Sequence, residues 1–253
     1  MHQITKSDIQ KTFINVDLHK EPDLRFAGVN QGRKGLWLVT LDIFFPRLDI
    51  PVSTNIDDKD TEKSILVRYI RESRRYLSTA ELVPTGSSIG RALSTLDLGS
   101  KLKELRVTSG CIDNEPDRHF GNYIQETTNL ILTDFRYNLD QPYKKDIVRE
   151  AGNSISCTSI NYDLFMAHAM DNFISNEDSN PRISIPNHFN QCGFEYDSLS
   201  PCAHFMGVRH NPITTKWENV YPTNGLFYAL ALAEAAFYIW MSERVSIEKL
   251  LSV

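Results

Sequence analysis

The stretch Gly207–Arg244, GVRHNPITTKWENVYPTNGLFYALALAEAAFYIWMSER, decides how the rest of the chain is read. A turn rich in Pro and Asn leads into a predicted helix of about five turns. Thr223 or Asn224 can cap it, because a short polar side chain accepts from the free N–H groups of a helix's first turn. Leu226, Leu230, Ala233, Phe237 and Trp240 recur at the spacing of one helical face. Phe227, Ala231, Tyr238 and Met241 make the adjoining face apolar as well, and a helix apolar on most sides is a buried one. A membrane span is the alternative. Only sixteen residues run from Leu226 to Met241, and Glu234 interrupts them, whereas a span needs about 20 apolar residues. The expectation is a core helix around which the other layers pack.

The bulk properties agree with a globular chain. Of 253 residues, 41% are hydrophobic and 23% charged, with no composition shift that marks a linker. The formal charge of −5 gives no hint of the basic surface that nucleic-acid binders carry. The densest basic cluster is Arg68, Arg71, Arg74 and Arg75. Arg68, Arg71 and Arg75 fall on one face of a predicted helix, which reads as a solvated face, with a phosphate or nucleotide contact as the alternative. The N-terminus lacks the basic-then-apolar order of a signal peptide. Cys111, Cys157, Cys192 and Cys202 show no CxxC spacing, so reduced thiols in a cytosolic compartment are expected, without a disulfide framework.

Working outward, residues 4–18 hold a short helix carrying Ile9, Phe13 and Ile14 that needs something to pack on. GLWLVTLDIFF reads as a strand buried on both faces, and LDIPV as an edge strand around Pro51. TEKSILVRYIRESRR is a second helix, AELVPTGSSIGRALS a strand and loop, and KELRVTSG another strand. NLILTDFRY reads as a strand, SISCTSINYDLFMAHAM as a strand turning into a helix, and PCAHFMGV as one more strand. Connections through turns rather than repeated crossover helices favour an α+β chain, an antiparallel β-sandwich core with flanking helices, over a doubly wound sheet.

The most enzyme-like signal is Asp117-Arg118-His119-Phe120-Gly121-Asn122 followed by Asp134-Phe135. It resembles the catalytic loop and metal-binding pair of lipid kinases and related kinases. Asp117 would accept the substrate proton, while Asn122 and Asp134 would hold magnesium, making a small kinase-like phosphotransferase. Against this reading, the early strand holds no lysine, no G-x-G-x-x-G loop precedes it, and Arg136 stands where a glycine is expected. Loop residues that cap backbone groups account for the same pattern. Cys202, His204 and His210 suggest a metal site but lack a fourth ligand. Cys157 with His204 as base is open to sequence reasoning only as arithmetic.

The order of features resembles a family, the polyhedrins of cypoviruses, which form crystalline occlusion bodies. Trp37 in GLWLVTLDIFF, the helix TEKSILVRYIRES, PTGSSIGRALS before KELRVTSG, and Gly207-Val208-Arg209-His210-Asn211-Pro212 before the aromatic helix carry the resemblance. It implies an N-terminal helical arm over residues 1–20 that protrudes to neighbouring molecules, with Ile9, Phe13 and Ile14 on it. It also implies a single β-sandwich domain over 21–253 with a long buried helix near 225–244. The implied function is a non-enzymatic viral matrix protein. It would assemble as homotrimers in a lattice around virus particles, in occlusion bodies in the cytoplasm of infected insect cells. No cofactor is required, lattice-bound nucleotide is an option, and neither membrane nor direct nucleic-acid binding is expected.

Such crystals must open in strong alkali. Tyrosine titrates near ~10 and lysine near ~10.4 in model peptides. Full titration of ten tyrosines and twelve lysines takes the net charge from −5 to −27. Tyr69, Tyr76, Tyr137, Tyr143, Tyr221 and Tyr228 are the candidate sensors.

Overall fold

The apolar run GLWLVTLDIF becomes the strand Gly35–Phe44, buried over nine of its ten residues. Its side chains alternate. Trp37, Val39, Leu41 and Ile43 join one apolar cluster, and Leu36 and Leu38 join a second. This is the period of two expected for a strand covered on both faces. The computed structural model describes residues 2–14, 21–32, 35–46, 59–84, 97–150, 153–174, 181–192, 200–221 and 224–244.

In chain order the first elements are β1 (His2–Gln3), α1 (Lys6–Thr12), β2 (Phe13–Ile14), β3 (Leu24–Gly32), β4 (Gly35–Phe44), α2 (Lys59–Glu72) and β5 (Arg74–Pro84). A helix over 97–104, α3, is followed by β6 (Ser109–Asp113), α4 (Arg118–Thr128), β7 (Ile131–Arg136), β8 (Tyr143–Glu150), β9 (Asn153–Asn161) and α5 (Tyr162–Asp171). The chain continues through β10 (Ile183–Pro186), a 3-10 turn (Asn187–Cys192), α6 (Pro201–Met206), β11 (Val208–Asn211), β12 (Lys216–Asn219) and α7 (Gly225–Arg244).

Nine strands form one sheet in the order β2-β10-β5-β4-β3-β6-β7-β9-β8. β3, β4 and β5 are an antiparallel meander. β6, β7 and β9 then add in parallel beyond β3. β10 runs parallel to both β5 and β2, and β8 returns antiparallel on β9. β1, β11 and β12 make a separate small sheet. The expected antiparallel β-sandwich is therefore corrected to one mixed, mostly parallel sheet with helices packed on it.

The reason lies in two misread segments. Part of KELRVTSG, expected as a strand, belongs to α3, whose Leu98 and Leu102 pack into the second cluster. Asp117–Asn122, read as a catalytic or capping loop, opens α4 instead. Both are crossover helices, and parallel neighbours require crossovers. PCAHFMGV is likewise largely helix rather than strand, with Ser200 capping α6 and Pro201 in its first turn.

α7 lies on the other face, against β3, β4 and β6, as the core helix that the sequence predicts. Gly225–Glu243 is also long and apolar enough to cross a membrane, but its side chains are mostly covered by the sheet. Ala229, Ala233 and Ala236 are fully buried and let the helix come close. A Cβ at Gly28 would lie 1.8 Å from the Ala229 carbonyl oxygen, so only glycine fits there. Of the two residues expected to cap α7, Thr223 lies outside the described residues, and Asn224 donates its amide to Asn219 instead. The buried His204 of α6 caps the helix, its Nδ1 accepting from Leu226 N–H at 3.3 Å.

The N-terminal helix does not protrude. Ile4 and Ile9 are buried in the main core, α1 touches α6 and β10, and β1 pairs with β11. Phe13 and Ile14 form β2, paired with Ile185 and Pro186. The expected arm is folded onto its own chain because α6 and β10 supply the apolar cover that a short helix needs. The predicted edge strand LDIPV lies outside the described residues.

Candidate anion-binding site

α2 ends at Glu72, and the Ser73 hydroxyl donates to the Tyr69 carbonyl at 2.6 Å. Arg68 and Arg71 therefore stay on the helix, whereas Arg75 lies in the strand β5. The expected single helical face of Arg68, Arg71 and Arg75 does not form. Arg68 pairs with Glu72 in solvent at 2.8 Å. Arg74 is exposed, and Arg75, one residue later in the strand alternation, is turned inward and is 3% exposed.

Arg75 meets α7 there. Its Nε donates to Glu234 Oε1 at 2.9 Å and its Nη2 to Oε2 at 3.1 Å, while its Nη1 donates to the Ser73 carbonyl. Asn172 Nδ2 donates to the same Glu234 Oε1 at 2.7 Å. Burial opposes the Glu234 charge, but Arg75, His168 and Asn172 together hold its carboxyl below the usual glutamate value. The charge that interrupts the apolar helix is thus matched inside the core.

Beside this pair opens a cavity of about 440 Å³. Its polar wall is Arg71, Arg75, His168, Asp171, Asn172 and Arg182. Its apolar wall is Val67, Ile70, Pro142, Leu164 and Tyr238. α5 contributes Leu164, His168 and Asp171 from one face, at the spacing that puts side chains above one another on a helix. Arg182 is anchored through its backbone N–H to the Asn172 carbonyl at 3.1 Å. Among the described residues, neither the Arg182 nor the Arg71 side chain has a hydrogen bond or ion pair.

The electrostatics are strained toward positive. Burial, then the neighbouring Arg75, lowers the Arg182 pKa, with Asp171 acting in the opposite sense. Burial also lowers the pKa of His168, against the pull of Glu234, so its imidazole is neutral at pH 7. Sequence reasoning singled out Arg71 and Arg75 but missed His168 and Arg182. These come from separate elements and share no spacing that periodicity can detect.

A second polar cluster sits at the C-terminal ends of β3 and β6. Asn30 Nδ2 donates to Asp113 Oδ2 at 2.9 Å, and Glu115 N–H donates to Oδ1 at 3.1 Å. Burial pushes the Asp113 carboxyl up to about 7 despite these donors. Gln31 Nε2 donates to the carbonyls of Asp113 and Asp117. By strand alternation, Asp113 shares the α7 face with Cys111, while Asp134 shares the opposite face with Leu132. The sheet therefore divides these two carboxylates.

The kinase-like residues have other partners. Asp117 is the N-cap of α4, accepting from Phe120 N–H at 3.0 Å. Asn122 bonds Glu126 on the exposed side of the same helix at 3.1 Å. Asp134 pairs with Arg136. Among the described residues no three His, Cys, Asp or Glu side chains converge as metal ligands. Cys202 is buried with its thiol toward the Phe189 carbonyl, His204 packs at a tilt against Trp37, and His210 packs at a tilt against Trp217. Cys157 belongs to the cluster under α3 and α4, across the sheet from His204, and burial pushes its thiol up to about 11.

The predicted alkali sensors are scattered. Tyr69 and Tyr76 are buried, and burial raises both hydroxyls. Burial and Glu243 take Tyr143 up to about 12. The Tyr228 hydroxyl, also raised by burial, lies 3.0 Å from that of Tyr162, a residue the sequence did not single out. Tyr137 is 59% exposed, its ring tilted against Tyr162 at 4.5 Å, and Tyr221 is half-buried against the main core.

No protein-family model and no curated protein matches the chain. Among solved structures, Thermus thermophilus RuvC matches with 10% identity and a TM-score of 0.34, over 87% of this chain and 98% of its own. That score is too low to carry an argument about this chain's fold or chemistry. No family model or curated protein supports the polyhedrins, and the sandwich and protruding arm that the resemblance implied are replaced by a mixed, mostly parallel sheet with α1 folded onto its own chain. The polyhedrin resemblance is therefore withdrawn. The expectation of a non-enzyme goes with it, because it rested on that resemblance.

Proposed function

We propose that this protein binds a phosphate-bearing ligand in the cavity between α2, α5 and the start of β10. The observation that carries the reading is the Arg182 guanidinium. It is partly buried, without a hydrogen bond or ion pair among the described residues, and it faces the same cavity as Arg71 and Arg75. An unpaired charge withdrawn from water is costly, and a bound anion relieves that cost. The planar guanidinium matches the oxygens of phosphate and can hold them in pairs. The cavity volume falls in the range of small-molecule sites, about 300–1,000 Å³.

His168 supports a catalytic extension of this reading. It lines the cavity as a neutral imidazole without a hydrogen bond among the described residues. A base in that state, next to a bound phosphate ester, is suited to proton transfer at neutral pH.

Calorimetric titration with inorganic phosphate tests the binding claim. The wild-type chain gives a saturable heat, and Arg182→Met, which keeps the volume and removes the charge, abolishes it while the circular dichroism spectrum is unchanged. A wild-type protein that gives no heat with phosphate or sulfate sinks the proposal.

A further inference from the structure

We infer that the ligand of this cavity is an amphiphilic phosphate monoester, with a single phosphate on Arg71 and Arg182 and an apolar body along Val67, Ile70 and Leu164. This rests on the phosphate reading above and adds the substrate class. Two observations select it. The first is charge. Arg75 is matched by Glu234, and Asp171 faces the same cavity, so Arg71 and Arg182 leave only a small positive excess. That excess suits one phosphate group. A di- or triphosphate would bring more negative charge than the wall can match and would set it against Asp171.

The second observation is the opposite wall. Val67 is 47% exposed, one of a few large apolar side chains so open among the described residues, and it stands at this cavity. Ile70 on the next turn of α2 and Leu164 on α5 continue the apolar surface inward, and the Tyr238 ring closes it. A site for bare phosphate has no use for such a wall. A site for a phosphate ester uses it to cover the ester's carbon body.

The test compares inorganic phosphate, phenyl phosphate and hexyl phosphate by calorimetry on the full chain. Both esters bind at least tenfold tighter than inorganic phosphate, the gain expected from burying roughly 60 Å² of apolar surface. Val67→Ser, an exposed position whose change leaves the core intact, reduces that preference at least threefold. Equal affinities for the three compounds overturn the inference while leaving the phosphate reading standing. An undiminished ester preference in Val67→Ser and in Leu164→Ser overturns the assignment of the wall. Failure of all three compounds to bind removes both readings together.

Discussion

Arg75, the second residue of β5, and Glu234, mid-way along α7, form a two-pronged ion pair buried to 3% and 1% exposure. The pair ties the sheet to its central helix, and its Arg75 lines the cavity. Removing one partner leaves an uncompensated buried charge. Arg75→Met and Glu234→Leu are each expected to lower stability by about 3–5 kcal/mol, and the double substitution by much less. Urea unfolding of the four proteins measures the cycle. Additive losses would show that the two residues contribute independently.

The approach of α7 to β3 predicts an equally local failure. A methyl group at Gly28 would meet the Ala229 carbonyl oxygen at 1.8 Å and the Ala233 nitrogen at 2.5 Å, both backbone atoms of the central helix. Neither can move without lifting α7 from the sheet. Gly28→Ala is expected to cost about 3 kcal/mol or more. Gly99→Ala, whose nearest neighbour would be a Thr128 methyl at 3.7 Å, is the tolerated control. Thermal melts of the two variants separate a packing clash from a general intolerance of alanine for glycine.

Legibility followed the range of the interactions. The apolarity of Gly35–Phe44 and of Gly225–Arg244 is written in consecutive residues, so a strand buried on both faces and a buried helix were readable. α4 was not, because few of its residues are apolar, Gly121 and Ile124 being the buried ones, and the Asp117 that caps it also suggested catalysis. Missing α3 and α4 as crossovers turned parallel strands into an expected sandwich. The cavity was half legible. Arg71 and Arg75 stand in one basic run, but Arg75 changes role because α2 stops at Glu72, and Arg182 and His168 join only through tertiary packing. Glu234 looked like an interruption because its partner lies 159 residues away.

Asp113 carries a pH signature. Burial raises its folded value to about 7 from 3.8. A raised folded value means that the native state holds the proton more tightly than the unfolded chain. Its contribution is therefore fully present below pH 3.8 and is lost as the pH rises through about 7. The difference is worth on the order of 4 kcal/mol. In Asp113→Asn the Asn30 amide can turn to accept, so the neutral side chain keeps its partners. The variant is expected to match wild type near pH 4 and to exceed it in stability at pH 8. Chemical denaturation at both values checks this, and a parallel pair of pH profiles would refute it.

His168 gives the anion site its own pH dependence. Arg75 of β5 and Arg182 before β10 disfavour its protonation, whereas Glu234 of α7 and Asp171 of α5 favour it, with burial the largest influence and in the lowering direction. Arg71 of α2 faces the same cavity and adds positive charge. An anion in the cavity offsets those cations and raises the His168 pKa, so binding and protonation must strengthen one another. Sulfate is the clean probe, because it stays doubly charged where phosphate changes protonation. Sulfate affinity is expected to rise several-fold from pH 8 to pH 5.5 in wild type and to stay nearly flat in His168→Gln. Calorimetry at the two pH values gives the comparison, and a rise that persists in His168→Gln would assign the dependence to another group.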